Sequence, residues 1–189
     1  MMTPDRVARC IPALHGLEPL VATNDGQGVV SSVLVPLIFP AVGSGCGLEE
    51  GCRVLFIRRS NEVRHHKGQI AFPGGRRDVA DATILHTALR ETVEELGPQA
   101  RPLRILGMLP PVPTVATGFI IHPFVAMMPE TMDVEPEPRE VAGVMTIPLS
   151  FFLSEGGGSR DSYHYGPHVI WGATARIVNQ FVAFLLGGT

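Results

Sequence analysis

Three carboxylates, Glu91, Glu94 and Glu95, follow Arg90 in the string Arg90-Glu91-Thr92-Val93-Glu94-Glu95-Leu96-Gly97. In a helix, Glu91 and Glu95 lie about 40° apart around the axis, with Glu94 on the neighbouring row. Anions so close repel one another, and a hard divalent cation held through oxygen removes that repulsion. Mg²⁺ or Mn²⁺ is the natural partner, with Glu91 and Glu95 as direct ligands and Glu94 as a further ligand or a holder of bound water. Arg90 is placed to orient the glutamates by ion pairing. Such a cation can neutralise phosphate oxygens and activate water, the two needs of diphosphate hydrolysis. The bland alternative is a solvated acidic helix face behind a turn.

The surrounding residues must position this cluster. A helix is expected over residues 82–96, with Asp81 as its N-cap and Gly97-Pro98 as its stop. Leu85, Ala88, Leu89, Thr92 and Leu96 form the stripe that would pack it on a core. Gly74 and Gly75 allow backbone to approach a ligand. Before them, Arg58, Arg59, Arg64, His65, His66 and Lys67 form a basic patch, read either as a phosphate site or as an exposed basic turn. Glu140 is a candidate acid reaching the site from a later loop, or a solvated charge. His86 and His122, among apolar neighbours, read as packed and hydrogen-bonded residues, Trp171 as core or pocket wall, and Met127-Met128 as strand packing.

The segment resembles the Nudix box, G-x5-E-x7-R-E-U-x-E-E-x-G-U with U apolar. From Gly75 it has Asp81 where the family has Glu, then eight residues instead of seven, then Arg90-Glu91, Glu94-Glu95 and Gly97, with Thr92 and Pro98 at the apolar positions. Arg59-Ser60, Arg64, Gly68 and Phe72-Pro73-Gly74-Gly75 reproduce R-S-x3-R-x3-G-x3-F-P-G-G, which is similar to the coenzyme A diphosphatase branch. Asp78, Asp81 and the longer spacer also look like that branch. So do Leu109-Pro110-Pro111-Val112, Gly118-Phe119, Glu140-Val141 with Pro148-Leu149-Ser150, and the stretch from Trp171 to Arg176. The resemblance covers roughly residues 30–185 and implies an α/β fold, the Nudix-type α/β/α sandwich with a mixed β-sheet.

It also implies Glu91, Glu94, Glu95 and Arg90 as the catalytic set, and Arg59, Ser60, Arg64, Gly68, Phe72, Gly74 and Gly75 as substrate-binding residues. The implied reaction splits CoA or an acyl-CoA into adenosine 3′,5′-bisphosphate and the 4′-phosphopantetheine part. A Nudix diphosphatase for ADP-ribose or oxidised nucleoside triphosphates is the alternative within the fold, and a nucleotide-binding domain without catalysis is the alternative outside enzymology.

The chain has 189 residues, 45% hydrophobic and 17% charged, enough for one domain, residues 1–189, with 1–28 as an N-terminal extension. A formal charge of −3 gives no general attraction to nucleic acid or an anionic membrane. Cys10, Cys46 and Cys52 show no zinc spacing and no disulfide framework. The first twenty residues lack a signal-peptide core, and the apolar stretch 29–42 is interrupted by Ser31, Ser32, Pro36 and Pro40. These features point to a cytoplasmic, non-membrane protein acting on a small molecule; a homodimer is a compatible assembly.

Residues 29–39 and 53–57 read as buried strands flanking a glycine-rich hairpin loop at 43–51. Strands are expected at 103–109 and 119–127, joined by the stiff Pro110-Pro111-Val112-Pro113 connection, and an acidic loop at 130–140. A short strand at 144–147, an apolar continuation at 151–153, a hairpin over 160–170 turning near Gly166-Pro167, and a helix over 172–186 complete the pattern.

Overall fold

The computed structural model describes residues 2–13, 29–40, 51–63, 66–102, 104–114, 118–131, 133–154 and 161–187. All of the expected loop at 43–51 except Gly51, and the residues Arg64 and His65, lie outside them. The sheet is built on β1 (Val29–Ile38) and β7 (Phe119–Met128), which pair in parallel over ten registered positions. Both strands are apolar nearly throughout, as strands covered on two faces must be. The other strands are antiparallel additions: β2 (Arg53–Arg59), β3 (Ile70–Ala71), β4 (Gly74–Arg76), β5 (Arg104–Met108), β6 (Val112–Pro113) and β8 (Val141–Pro148).

Beside β1 the sheet divides. The C-terminal end of β1 pairs with β2 through Leu37–Val54 and Ile38–Arg53, while Ser31, Ser32 and Val33 pair with β4. Pro36 falls between these two partners, and Pro123 of β7 falls between the β6 and β5 pairings. A proline inside a central strand ordinarily removes a ladder bond. Here both sit where the outer neighbour changes.

Helices cover both faces. On one, α2 (Ile84–Leu96) packs Ile84, Ala88 and Leu96 against Leu34, Leu55, Ile57 and Phe124. On the other, α1 (Pro4–Cys10), α3 (Leu149–Ser154) and α4 (Gly172–Leu185) share a core with Val35, Phe56, Phe72, Phe152 and Phe181. This is the expected α/β architecture with a mixed sheet between helices. The hairpin of β9 (Ser162–Tyr165) and β10 (His168–Trp171) leads into α4. Among the described residues no helix is long and apolar enough to cross a membrane.

Several expectations change. Thr83, not Asp81, caps α2, its hydroxyl accepting from His86 N at 3.0 Å. The apolar continuation at 151–153 lies in helix α3; Phe152 packs against Phe56 and Tyr163, the latter edge-on at 5.2 Å. The expected strand at 144–147 is longer, β8 pairing with β2 from Val141 to Pro148. Within the N-terminal segment, Met2, Val7 and Ile11 are buried and join the core on the face of α1, α3 and α4.

Candidate active site

Strand alternation sends Leu55, Ile57 and Arg59 to the α2 face of the sheet and Val54, Phe56 and Arg58 to the other. Arg59 thereby approaches α2, with Nη1 3.6 Å from Oε1 of Glu95. The other carboxylate oxygen of Glu95 accepts from Gly74 N at 2.9 Å. Glu95 is 2% exposed, and burial pushes its carboxyl up to about 8, against the smaller opposing pull of the Gly74 bond and Arg59. Burial also raises Glu91 above the ordinary carboxylate value, although the adjoining Arg90 works in the opposite direction.

The glycines are required by contact. A Cβ at Gly74, whose φ is 144°, would lie 2.3 Å from the Ser32 carbonyl oxygen, and one at Gly75 would lie 2.4 Å from the Glu91 carboxyl carbon. The β4 backbone therefore approaches the carboxylate row more closely than any side chain would permit.

Arg90 connects the row to the preceding loop. Its Nη2 lies 2.9 Å from Glu91 Oε1 and its Nη1 2.8 Å from Glu94 Oε2, while Nε and Nη2 both donate to Asp81 at 2.9 Å. Asp81 also accepts from Asp78 N and Thr87 Oγ1. Its side chain is buried, and the Arg90 hydrogen bonds hold its carboxyl well below the usual carboxylate range. The acid at the divergent box position is therefore a clamp that orients Arg90.

Positive charge is scarce at the other end of α2. Its last turn holds Glu94 and Glu95 and no basic residue, so two carboxylates meet the negative end of the helix dipole. The loop that follows folds back to cap this end, Glu135 N donating to Leu96 O at 2.9 Å and Glu137 N to Glu95 O at 3.1 Å. That return brings Glu137, Arg139 and Glu140 beside Glu94 around a cleft of about 580 Å³. Glu140 is near enough that its charge contributes to raising both Glu91 and Glu95. Glu137 escaped the sequence reading because a loop acid has no periodic signal.

Among the described residues, no three His, Cys, Asp or Glu side chains are gathered into a ready-made metal-ligand set. The donor chemistry nevertheless fits a hard divalent cation. Two partly or fully buried glutamates have raised affinities for protons in its absence, and Glu91 Oε2 is turned toward the Gly75 cradle.

The residues before the glycines divide by position. Ser60 is buried, its hydroxyl accepting from Glu62 N at 3.1 Å. Phe72 lies in the core, stacked on Phe56 at 4.8 Å, where it supports the loop from below. Gly68 is exposed with φ 68°. Arg58, Lys67 and Gly68 line a groove on the opposite sheet face. His86 is exposed, contrary to its expected packing, whereas His122 is buried, which lowers its proton affinity. Trp171 is 52% exposed and forms a pocket wall instead of core.

Comparison with known proteins gives a consistent family. The sequence model of the NUDIX domain matches residues 41–161. Nudix hydrolase NudL of Photorhabdus laumondii is 36% identical over 144 residues, covering 67% of this chain and 74% of that protein. NudL of Cronobacter sakazakii is 34% identical over 191 residues, covering 94% of each. Among solved structures, the MutT NUDIX hydrolase of Burkholderia pseudomallei matches with a TM-score of 0.53 and 20% identity, covering 82% of this chain and 98% of that one. The NUDIX domain of Shewanella oneidensis NrtR, complexed with ADP ribose, matches with a TM-score of 0.57 and 16% identity, covering 85% and 93%. The shared fold, the family match along most of the described sheet and the relatives' sequence identity together make this chain a Nudix hydrolase.

Proposed function

We propose that this Nudix hydrolase cleaves the diphosphate bond of CoA or an acyl-CoA with Mg²⁺ or Mn²⁺. Water's oxygen bonds to one phosphorus as the bridging P–O bond breaks, leaving adenosine 3′,5′-bisphosphate and (acyl-)4′-phosphopantetheine. The observation that carries the catalytic reading is Glu95, buried beside Gly74 N–H and only loosely approached by Arg59. Glu91, Glu95 and Glu94 would hold the cation, which when bound supplies charge neutralisation on phosphate and a more acidic water. Arg90 keeps Glu91 and Glu94 oriented, and Asp81 keeps Arg90 in place. Arg59, at the glycine cradle, would bind phosphate. Arg64, by its place in the sequence pattern, and Gly68 would contribute to recognition, with Ser60, Phe72, Gly74 and Gly75 shaping the loop.

The choice of CoA rests on the R-S-x3-R-x3-G-x3-F-P-G-G pattern and its resemblance to the CoA diphosphatase branch. We take residues 1–189 as one domain acting in the cytoplasm. Burial pushes the Cys52 thiol up to about 12, so it serves as a packed side chain and not as a nucleophile.

The test is product analysis with Mg²⁺ and, separately, CoA, ADP-ribose and a nucleoside triphosphate. Adenosine 3′,5′-bisphosphate should form from CoA, and Glu95→Gln should lower turnover by about a hundredfold or more. Preferential cleavage of ADP-ribose or the triphosphate would replace the substrate assignment. Unchanged turnover in the variant would remove Glu95 from the metal set.

A further inference from the structure

The two outer strands of the sheet, β5 and β8, end it in different ways. β5 is covered: Arg104 Nη1 donates to Asp5 Oδ1 at 2.7 Å, Met108 N donates to Pro12 O at 3.2 Å, and a Cβ on Gly107 would lie 2.7 Å from that same carbonyl oxygen. Helix α1 and the residues after it thus close that edge. β8 pairs with β2 on its inner side, and among the described residues no backbone group bonds to its outer side between Ala142 and Ile147.

Nor does β8 carry the features that keep a bare edge from pairing. Val141 to Pro148 contains no Asp, Glu, Lys or Arg, and its one proline stands at the end. A bulge sets Ala142 aside, since Arg58 pairs with Gly143 and Arg59 with Val141. From Gly143 to Pro148 the register then runs unbroken against Arg58 to Arg53. That leaves a regular edge roughly 20 Å long, along which Gly143, Val144, Met145 and Thr146 are only half-buried. Unpaired amides and carbonyls on such an apolar strand are a template for one more strand.

We infer that this edge is where a second copy of the chain adds, β8 pairing antiparallel with the partner's β8 about a twofold axis through Met145. The register follows from the faces. Val144 packs with the core on the α2 side, and Met145 and Ile147 with the core on the other. An axis perpendicular to the sheet keeps each face on its own side, and directly opposed residues of an antiparallel pair share a face. Centring on Met145 satisfies this, setting Val144 opposite Thr146 and Gly143 opposite Ile147. Centring on Val144 would instead draw the Ala142 bulge into the pairing. No like charges meet across the axis, so a second copy matches this neutral edge, whereas an acidic or basic strand would find no counter-charge on it. Both glutamate rows then lie on the same side of one continuous sheet.

Analytical ultracentrifugation of the full chain should show a dimer in the micromolar range. Met145→Lys places two ammonium groups at the axis and should weaken the dimer at least about a hundredfold. Thr146→Lys, at a half-exposed position, should weaken it in the same direction and serves if Met145→Lys fails to fold, which circular dichroism checks. Hydrogen exchange of the unaltered protein is a further readout. Amides within 143–147 that point away from β2 should exchange at least about tenfold more slowly in the dimer than after dilution to monomer. A chain that stays monomeric throughout the micromolar range would overturn the assignment, and so would a dimer that keeps its affinity in the folded variants or leaves these amides unprotected.

Discussion

The two ends of α2 each bury a carboxylate, and they treat it oppositely. Asp81, just before the helix, accepts from Asp78 N, Thr87 Oγ1 and two nitrogens of Arg90. Glu95, in its last turn, has one short bond from Gly74 N and an arginine at 3.6 Å. Burial is similar, at 2% exposure for each, so the number of donors sets the difference. The saturated carboxylate stays ionised and locks structure. Burial raises the proton affinity of the undersupplied one, and the same surroundings suit a metal ion.

The largest test of this contrast is Asp81→Ala. It removes the clamp and leaves the Arg90 charge without its best partner, so stability should fall by about 3 kcal/mol, toward the lower end for buried ion pairs because Arg90 keeps some solvent contact. Urea unfolding measures it, and a loss below about 1 kcal/mol would mean that Glu91 and Glu94 suffice to hold Arg90.

Next in size is the response to pH, where the two residues should have opposite signs. Asp81 is depressed in the folded protein, so its contribution is complete above the ordinary carboxylate value near 4 and disappears as pH falls through the lower folded value. Glu95 is raised to about 8, so its contribution is complete below the ordinary value and is lost as pH rises toward 8. Either slope is limited to about 1.4 kcal/mol per pH unit. Unfolding curves between pH 3 and 9 should show the acid slope vanish in Asp81→Asn and the alkaline slope vanish in Glu95→Gln. Retention of the alkaline slope in the latter would transfer it to Glu91.

The smallest expected effect is local. Gly75→Ala puts a methyl group 2.4 Å from the Glu91 carboxyl carbon and should displace that side chain while the fold survives. On the proposed role of Glu91, turnover should drop about tenfold, as for a modest misplacement of a reacting group, with the Asp81 acid slope untouched. A change in the acid slope would show that Glu91 and the clamp move together through Arg90.

The sequence makes some of this contrast legible and conceals the rest. Helix α2, the long strands β1 and β7, the hairpin and α4 stand out because apolar residues recur at the periods of their elements. Strand β4 does not, since Gly74, Gly75 and Arg76 contain no apolar side chain and are ordered by their pairing with β1. Helix α3 is hidden for a related reason: an apolar run as short as Phe151-Phe152-Leu153 suits strand or helix, and tertiary packing decides. At the site, Glu91, Glu94 and Glu95 were visible as a row, but their unequal surroundings were not. Glu94 is half exposed and Glu95 buried because a helix stripe has edges, and one residue of rotation moves a carboxylate from solvent to core. Asp81 reads as a cap from its place before a helix; only the fold reveals that Arg90, nine residues later, returns to it.

The parallel β1–β7 ladder also sets a timetable. Ser32 and His122, paired at its centre, are 90 residues apart in the chain. At roughly 5–20 residues per second of synthesis, β1 must wait on the order of 5–18 s for its central partner to be made. During that interval an apolar strand that will end up covered on both faces has only antiparallel neighbours such as β2 and β4 to shelter it. The middle of this sheet is therefore assembled late, and the nascent chain is at greatest risk of aggregation before residue 128 has been translated.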